Sequence, residues 1–552
     1  MRQYQRALTV IFLALLSTSI SSFPVGVACK DIIATSQATG ADYTLLLKVR
    51  DPSRPGLQVL TRVPKGTTYT YHYPWSGKPW TFTVNHTYFG IATLGDTPPN
   101  ITKAGMVLSD AGLVFADADT ASGWVNPTKN AWDDFDWIRY ACQTAGSDLQ
   151  AITLLTTDAI DSMHATSVGE NLFIASPAQA AVIEADAFHY TTSTVDDVWI
   201  MSNYPLTLWR TELLKSLPIA RSFDAQKDTW VRQGGTVRLG SVCGVKILAV
   251  NDTALIAQAV PTFAFQPYEQ GNPVVITIGH RGTVGPYSVI YETFQKPKAR
   301  VSVQTAVHAW EQAVRGHVEP AVGHITLQDM FAWSRMHTSD LDGLRPLCED
   351  ASVYEAAAVF KLPTDHPDIL GCGWFSANHA CSSIYVPFHI CDDDIYTPYQ
   401  TGEAAQLSLD LLKKYGHATL TPACESVEAV LLAETNLSEG IAHAFIHSGI
   451  NATPFMTAAD LGIQGQAYLT EQLWLSLPNA SQAFLRDLWS SNYNTSLLHM
   501  KKAVVVLTGV PGGNPTVALL KTIMLSIERT QAIQTSAARN FSLPKDLDEI
   551  NQ

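Results

Sequence analysis

Short apolar stretches separated by glycine, proline, aspartate or asparagine dominate the first part of the chain after residue 29. Stretches rich in β-branched and aromatic residues between such turn formers are typical of strands. The predicted strands are 31–36, 43–49, 57–63, 68–73, 107–109, 112–116, 171–175, 180–185, 190–194 and 198–202. Apolar positions that recur every three or four residues predict two helices, over 132–145 and 149–162.

The pattern changes in the second half of the chain. Between 208 and 350 it is less regular, with helical spacing near 301–315 and 327–336. Further strands are predicted at 353–362, 374–377 and 382–387, and helices at 402–415, 424–447, 464–489 and 515–538. Strands, then helices, then strands fit two sheets packed between helical layers. We therefore expect an α+β fold with four αββα layers and a mainly helical C-terminal extension.

The N-terminus has the parts of a secretion signal in order. Two arginines precede an apolar run over 7–16 and a stretch rich in serine and threonine. Gly26 and Ala28 are the small residues that a signal peptidase requires at positions −3 and −1. We expect residues 1–28 to be removed, which makes Cys29 the first residue of the mature chain.

An N-terminal cysteine carries a thiol and a free α-amine on one residue. The amine, with a pKa near ~8, can act as the general base for the thiol. Two other interpretations remain open. Cys29 is a lipoprotein anchor, although Gly26 stands where that signal has an aliphatic residue, or it is a structural cysteine and the cut falls nearer Phe23.

Composition narrows the class of protein. Of the 552 residues, 46% are apolar and 16% charged, as in a well-cored globular protein. The net charge of −14 argues against nucleic acid as a partner. After residue 28 no apolar run approaches the ~20 residues that span a bilayer. Eight Asn-x-Ser/Thr sequons indicate a secreted or lysosome-type glycoprotein: Asn85, Asn100, Asn251, Asn436, Asn451, Asn479, Asn494 and Asn540.

The sequence gives no sign of a metal or cofactor. Eight cysteines are present, and without Cys29 an oxidising compartment allows up to three disulfides. No cysteine pair has zinc-type spacing. His366, His379 and His389 follow no known ligand pattern, and no phosphate-binding loop stands between a strand and a helix. We expect neither a cofactor nor a metal.

Five segments in order along 28–405 resemble the PepD-type cysteine dipeptidases, which are N-terminal-nucleophile hydrolases related to penicillin V acylases and bile-salt hydrolases. The first runs from Ala28-Cys29 to Leu47-Lys48-Val49-Arg50-Asp51, where the family has its nucleophile and an Arg-Asn-x-Asp stretch. The other four are the hairpin 104–113, the hairpin 172–184 ending in a glutamate, Ser202-Asn203-Tyr204-Pro205, and 382–402 with Ser-Ile-Tyr-Val-Pro-Phe-His.

The resemblance implies roles for residues around the nucleophile. Cys29 attacks the amide carbonyl, and Arg50 favours the thiolate and holds a substrate carboxylate. Asp51 orients the amine of Cys29. In the family the aspartate stands three residues after its arginine, and counted from Arg50 that place is Ser53. The competing interpretations are a surface ion pair for Arg50 and a turn residue for Asp51.

Further residues are implied as partners of the substrate. Asn203 donates its side-chain N–H to the oxyanion. Asp117, with Asp119, follows a hairpin strand where relatives bind substrate, and Glu184 at a strand end is a candidate for the substrate amine. A turn asparagine and exposed loop carboxylates are the alternatives.

The sequence therefore predicts a secreted cysteine amide hydrolase that cleaves dipeptides through a thioester on Cys29. We expect a catalytic domain at 29–420, a helical region at 421–552 packed on it, and a small peptide or amide as the only partner, with no membrane contact after signal removal. The alternatives are an acylase or acyltransferase on N-acyl substrates, and a non-catalytic secreted or lipid-anchored binding protein of the same fold.

Overall fold

We analysed the protein as a computed structural model. The structure describes residues 29–51, 56–96, 103–120, 131–166, 169–208, 226–239, 243–261, 271–349 and 354–476. The proposed signal, the predicted helix 515–538 and part of the predicted helix 464–489 lie outside the described residues.

A six-stranded antiparallel sheet contains Cys29 at the start of an inner strand. In spatial order its strands are β12 (Val198–Ser202), β1 (Lys30–Ala34), β2 (Tyr43–Arg50), β21 (Ala356–Pro363), β22 (Cys372–Ser376) and β23 (Val386–His389). Lys30 of β1 pairs with Ser202 on one side and with Val49 on the other. The residue before β1 therefore lies where β12 and β2 end.

A seven-stranded antiparallel sheet lies next to it in the core. Its strands in spatial order are β11 (Tyr190–Val195), β10 (Ala180–Ala185), β9 (Gly169–Ala175), β8 (Leu113–Thr120), β7 (Ala104–Ser109), β6 (Tyr88–Thr93) and β3 (Gln58–Val63). A small hairpin of β4 (Thr68–His72) and β5 (Pro79–Thr83) follows β3. The predicted strands of this region are all present: 180–185 matches β10 at both ends, and the others are shifted by one to four residues at one or both ends. Strands β5 and β6 were not predicted.

The two large sheets share one hydrophobic core. Leu47 of β2 belongs to the same buried cluster as Met106 of β7 and Val114 of β8. Successive residues of a strand point to opposite faces, and Phe115 accordingly belongs to a second buried cluster. That second cluster includes Trp137, so it joins the other face of this sheet to the helical segment that follows β8.

That helical segment and the later helices agree with the predicted order. The helix Asp134–Cys142 begins where the side chain of Asp133 accepts a hydrogen bond from the backbone N–H of Asp136. The helix Asp148–Thr153 continues into the π-helix Leu154–Ser162. The remaining helical elements are Ser36–Thr39, Ala306–Val318, the 3-10 turn Glu319–Ala321, Leu327–Ser334, Pro367–Leu370, Thr397–Thr401, Glu403–Tyr415, His417–His447 and Thr453–Ser476.

Two four-stranded sheets occupy the region whose pattern is irregular. One contains β13 (Gln226–Arg232), β20 (Lys298–Thr305), β19 (Tyr287–Gln295) and β18 (Arg281–Val284), and the other β14 (Thr236–Val237), β15 (Cys243–Val250), β16 (Ala254–Pro261) and β17 (Val274–Thr277). They bury a cluster of their own that includes Val245, Tyr291 and Val301. The sequence did not predict these strands.

The predicted helix 301–315 is wrong in its first five residues. Residues 298–305 form β20, and the helix Ala306–Val318 begins only after Thr305, whose side chain accepts a hydrogen bond from the backbone N–H of His308. The N-cap threonine separates the two elements, since its extended backbone ends the strand and its oxygen starts the helix.

The C-terminal helices pack in the same core as the sheets. Leu431 of His417–His447 and Trp474 of Thr453–Ser476 are buried in the cluster that contains Leu47. The predicted boundary between residues 420 and 421 falls inside the helix His417–His447. The division of the chain at that point stays a prediction.

The sequence allowed up to three disulfides, and none is present among the described cysteine side chains. The seven cysteines whose side chains are described, all but Cys243, are free thiols and form no disulfide with one another. Within the described ranges no helix is long and apolar enough to cross a bilayer.

Candidate active site

The backbone nitrogen of Cys29 is held by a side chain from another strand end. It donates a hydrogen bond of 2.7 Å to Oδ1 of Asn203, which follows β12. Nδ2 of Asn203 donates to the backbone carbonyl of Asp119 at 2.7 Å. The amide is therefore oriented by partners on both sides. The side-chain N–H of Asn203, which was predicted to donate to the oxyanion, donates to the Asp119 carbonyl in this structure. Its role in catalysis stays a prediction.

Strand geometry explains why these two residues meet. Ser202 pairs with Lys30, so the residues next to them, Asn203 and Cys29, lie at the same end of the sheet. The turn that carries Asn203 is held by Asn171 of β9, whose Nδ2 donates to the carbonyl of Ser202 at 2.8 Å. The contact between chain positions 174 residues apart is thus set by strand pairing.

Lys48 is the cation beside the thiol. It is fully buried on β2, and its ammonium group hydrogen-bonds the Cys29 side chain. Nζ lies 3.3 Å from Oδ2 of Asp31 and 3.7 Å from Oδ1 of Asp117. Burial opposes the charge, yet Asp31, Cys29 and Asp117 together raise the pKa of Lys48 above its ordinary value.

Lys48 was not among the predicted site residues, because the cationic role was assigned to Arg50. Two signals were present. A lysine interrupts the apolar run 45–49, and Asp51 follows Lys48 by three residues, which is the spacing of basic residue and aspartate in the dipeptidase stretch. In the β1–β2 pairing Lys48 is opposite Asp31, so it lies on the same face of the sheet as Cys29.

The thiol is held in its neutral form in this environment. Burial raises the pKa of Cys29 to about 12, Lys48 acts in the opposite direction, and the carboxylates Asp117, Asp31 and Asp119 raise it further. In this chain the α-nitrogen is an amide, which has no basicity near neutral pH. A thiolate therefore requires both a base and the nearby cation.

Arg50 lies near Asp117, and its guanidinium group already donates one hydrogen bond to a neighbouring side chain. Nη1 donates to Oε1 of Gln58 at 2.6 Å, and the guanidinium stacks 4.9 Å above the ring of Phe135. A Cβ at Gly105 would stand 2.8 Å from Oδ1 of Asp117 and 3.3 Å from Nε of Arg50. Only glycine at 105 leaves room for both side chains.

Asp51 lies against a different lysine. Its Oδ2 is 2.7 Å from Nζ of Lys30 and 3.5 Å from Nη2 of Arg345, and Lys30 also contacts Glu349 at 3.3 Å. Lys30 points to the face of β1 opposite that of Asp31, because neighbouring strand residues alternate. Burial raises the pKa of Asp51 to about 7, with Lys30 opposing. Its predicted role in orienting the amine stays a prediction.

Three other carboxyl groups lie around the predicted substrate residue Asp117: those of the buried Asp134 and Glu170 and that of the exposed Asp119. Burial, and then the nearby charges of Asp117 and Asp119, raise the pKa of Asp134 well above its usual range. Burial and then Asp119 do the same for the pKa of Glu170. Asp134 lies beside Asp117, and Glu170 lies beside Asp119. The raised pKa values of Asp134 and Glu170 favour their neutral forms, which lowers the negative charge of the cluster.

Glu184 is engaged by backbone groups. Its Oε2 accepts hydrogen bonds of 2.7 Å from the N–H groups of both Thr207 and Leu208. Burial raises the pKa of Glu184, and these N–H groups oppose the shift. The contacts hold the segment after β12, and the predicted binding of a substrate amine stays a prediction.

The three histidines considered together in the sequence lie in separate places. Nδ1 of His379 is 2.5 Å from Glu355, and Nδ1 of His389 is 2.7 Å from Asp460. His366 lies beside Asp365 at the surface. Each histidine has its own acidic neighbours, and several groups with metal-ligand chemistry occur among the described residues.

No protein-family model matches the chain, and no curated protein matches it. Among solved structures it is similar to a variant of conjugated bile acid hydrolase from Clostridium perfringens, with 10% identity and a TM-score of 0.35 over 66% of this chain and 92% of that one. It is similar to penicillin V acylase from Agrobacterium tumefaciens at 11% identity and a TM-score of 0.25, covering 33% of this chain and 53% of the acylase. The N-acylethanolamine-hydrolyzing acid amidase ortholog of Caenorhabditis elegans has 9% identity and a TM-score of 0.23, covering 32% of this chain and 70% of that one. Similarity at this level leaves the function to be argued from the residues of the site.

Proposed function

We propose that this protein is a cysteine-type amide hydrolase whose N-terminal nucleophile, Cys29, cleaves dipeptides through a thioester. The observation that carries the proposal is the position of Cys29. Its nitrogen is oriented by Asn203 at 2.7 Å, and its thiol contacts the buried ammonium group of Lys48. A nucleophile, an oriented nitrogen on the same residue and a cation meet at one point between two sheets.

The chemistry follows from these three groups. Once Ala28 is removed, the nitrogen of Cys29 is an amine that takes the thiol proton, and Lys48 stabilises the thiolate. The thiolate attacks the amide carbonyl, the protonated amine returns its proton to the leaving nitrogen, and a thioester remains. Water deprotonated by the same amine then hydrolyses the thioester and restores the thiol.

The carboxyl cluster supports a substrate with a free amine. Asp117 and Asp119 lie beside Asp134 and Glu170, whose raised pKa values favour the neutral acid, and Asp117 lies 3.7 Å from Lys48. An ammonium group of a dipeptide would find charged acceptors there, whereas an N-acyl substrate brings no cation. This charge balance favours a dipeptidase over an acylase.

The finer description of the fold belongs to the same proposal. The shared core of the two sheets and the helical cluster on the outer face of β8 support the four αββα layers of an N-terminal-nucleophile hydrolase. Release of residues 1–28 and export of the chain are part of the proposal, since the amine of Cys29 exists only after a cut behind Ala28.

Processing provides the experiment. We compare matched preparations that begin at Cys29 or carry an uncleavable extension before it, with each N-terminus confirmed by mass spectrometry. The trimmed chain should hydrolyse dipeptides, and the extended chain should fold and stay inactive. Equal rates for both forms would show that the α-amine is not the base and would overturn the assignment.

A second arm tests the substrate class. The trimmed chain is given a dipeptide and the same dipeptide acetylated on its amine. We expect a kcat/KM at least ~10-fold higher for the free amine, since its charge pairs with the carboxylates in a site of low dielectric. Preference for the acetylated compound would favour the acylase alternative.

A further inference from the structure

A cluster of three histidines and one aspartate lies on the surface, away from the residues assigned to catalysis. His443 and His447 are four residues apart on the helix His417–His447, so both side chains lie on one face of it. Their Nε2 atoms are 3.3 Å apart. The two rings meet nearly edge to face, with centroids 4.2 Å apart.

The connection between β21 and β22 supplies the other two residues. Oδ2 of Asp365 is 2.6 Å from Nε2 of His443, and Oδ1 of the same carboxylate is 3.4 Å from Nε2 of His366. The ring of His366 lies 6.3 Å from that of His443 and 6.1 Å from that of His447.

The backbone under these side chains is fixed by packing. Leu370, five residues after Asp365, shares a buried cluster with Ala442 and Phe445 of the long helix. His366 has a φ of 50°, a left-handed conformation that is uncommon for a residue with a Cβ. The connection is therefore seated against the helix in one arrangement, and its polar side chains stand beside the two helical histidines.

We propose that Asp365, His366, His443 and His447 bind a divalent transition-metal ion of the zinc class. Imidazole nitrogen with one carboxylate oxygen is a ligand set that zinc accepts, and two nitrogen ligands of a tetrahedral zinc ion stand about 3.3 Å apart. The Nε2 atoms of His443 and His447 already have that separation. Asp365 and His447 are exposed, so an ion reaches the cluster from solvent without opening the fold.

Binding would join two parts of the protein that are distant in sequence. Asp365 and His366 connect two strands of the sheet that contains Cys29, and the other two ligands lie on a C-terminal helix. An ion held by both would add a cross-link between them and stabilise the folded chain. The site is structural in this proposal and independent of the hydrolase assignment.

Other groups in the protein also have metal-ligand chemistry, so the test must distinguish them. His337, Cys348 and Cys381 lie together in the core, as do Cys372, His389 and Glu439. A plain zinc stoichiometry would not separate these from the surface cluster. The informative quantity is the difference between the wild-type chain and a variant that lacks only the surface ligands.

The experiment is a titration of the chelator-treated full chain with Zn²⁺, followed by calorimetry and by melting temperature. The test variant is His443→Ala/His447→Ala, and the control is His280→Ala, an exposed histidine outside the cluster. Losing a residue that only orients a ligand weakens metal binding about 10–100-fold, so losing two ligands should weaken it at least about 100-fold. We expect wild type and control to bind one ion more than the test variant, and Zn²⁺ to raise their Tm further.

A second variant and a second ion complete the test. Asp365→Asn keeps the shape of the side chain and removes its charge, and it should weaken Zn²⁺ binding with the apo fold intact by circular dichroism. Co²⁺ bound to wild type should give the visible absorption of a four-coordinate site, and the test variant should lose that absorption. Equal Zn²⁺ stoichiometry and affinity in wild type and in both variants would overturn the proposal.

Discussion

Two buried cysteines of the six-stranded sheet each have a cationic neighbour and a carboxylate beside it. Cys29 contacts Lys48, which lies 3.3 Å from Asp31. Cys372 hydrogen-bonds the imidazole of His389, whose Nδ1 is 2.7 Å from Asp460. By residue type, Cys372, His389 and Asp460 resemble a catalytic triad more closely, since many cysteine hydrolases use a thiol, an imidazole and a carboxylate.

Their positions in the fold differ. Cys372 and His389 are 0% exposed, and Asp460 reaches them from the helix Thr453–Ser476, which packs over the sheet. Cys29 is 7% exposed and is the residue before β1, where a cut frees an amine. Under the proposed function, access and a free N-terminus, rather than the set of side chains, decide which of the two thiols is the nucleophile.

Removing each thiol should have opposite consequences. Cys29→Ala should lower dipeptide hydrolysis by at least ~1000-fold with the fold intact, because the nucleophile is gone. Cys372→Ala should keep hydrolysis per folded molecule within ~3-fold and destabilise the chain by ~1–3 kcal/mol, because the buried imidazole loses a partner. Initial rates and urea unfolding measure the two effects. An active Cys29→Ala would refute the comparison.

Removing the cation beside each thiol is the next largest effect. Lys48→Met should lower kcat/KM by ~100-fold, since the thiolate loses its stabilising charge. Lys48 lowers the pKa of Cys29, so the alkaline rise of kcat/KM should also move to higher pH in the variant. Lys361→Met is the matched control, because Lys361 pairs with Glu439 at 2.7 Å near the other cysteine. An equal loss in both variants would point to general destabilisation.

Asn203 offers a smaller and more specific test. Asn203→Ala removes the acceptor that holds the nitrogen of Cys29, and it should lower kcat by ~10–100-fold while KM changes little. Steady-state kinetics on the trimmed chain separates the two constants. A change confined to KM would instead make Asn203 a substrate-binding residue.

The smallest expected effect concerns stability at the second cysteine. Burial disfavours the charged imidazole, but Asp460 and Cys372 hold the pKa of His389 well above its ordinary value. This ion pair therefore stabilises the fold fully below ~pH 6.5, the unfolded value, and the contribution is lost as pH rises towards the folded pKa. Above pH 6.5 wild type should lose up to ~1.4 kcal/mol per pH unit more than His389→Gln. Parallel curves from unfolding at pH 6 to 9 would contradict the charged pair.

The local pattern of the chain was sufficient for much of the framework. Most strands between residues 30 and 202 were predicted because each is a short β-rich run bounded by turn residues, which is a property of adjacent positions. The exceptions are β5 and β6, which the sequence did not predict. The same pattern failed between 226 and 305. Seven strands there have irregular lengths, and an eighth runs directly into a helix at Thr305, so the apolar positions show no clear period.

What the sequence by itself determined is the presence of a cysteine behind a segment with the composition of a secretion signal, and the order of most strands around it. Only the tertiary structure decided which charges meet that cysteine. Lys30 follows Cys29 in the chain, and Lys48 lies on the neighbouring strand β2. Because successive side chains of a strand point to opposite faces of the sheet, Lys48 faces Cys29 and Lys30 faces Asp51. Asn203 reaches Cys29 from 174 residues away because β12 pairs with β1. Such contacts depend on strand register and face, which arise from burial of both sheets together and are not properties of any short segment.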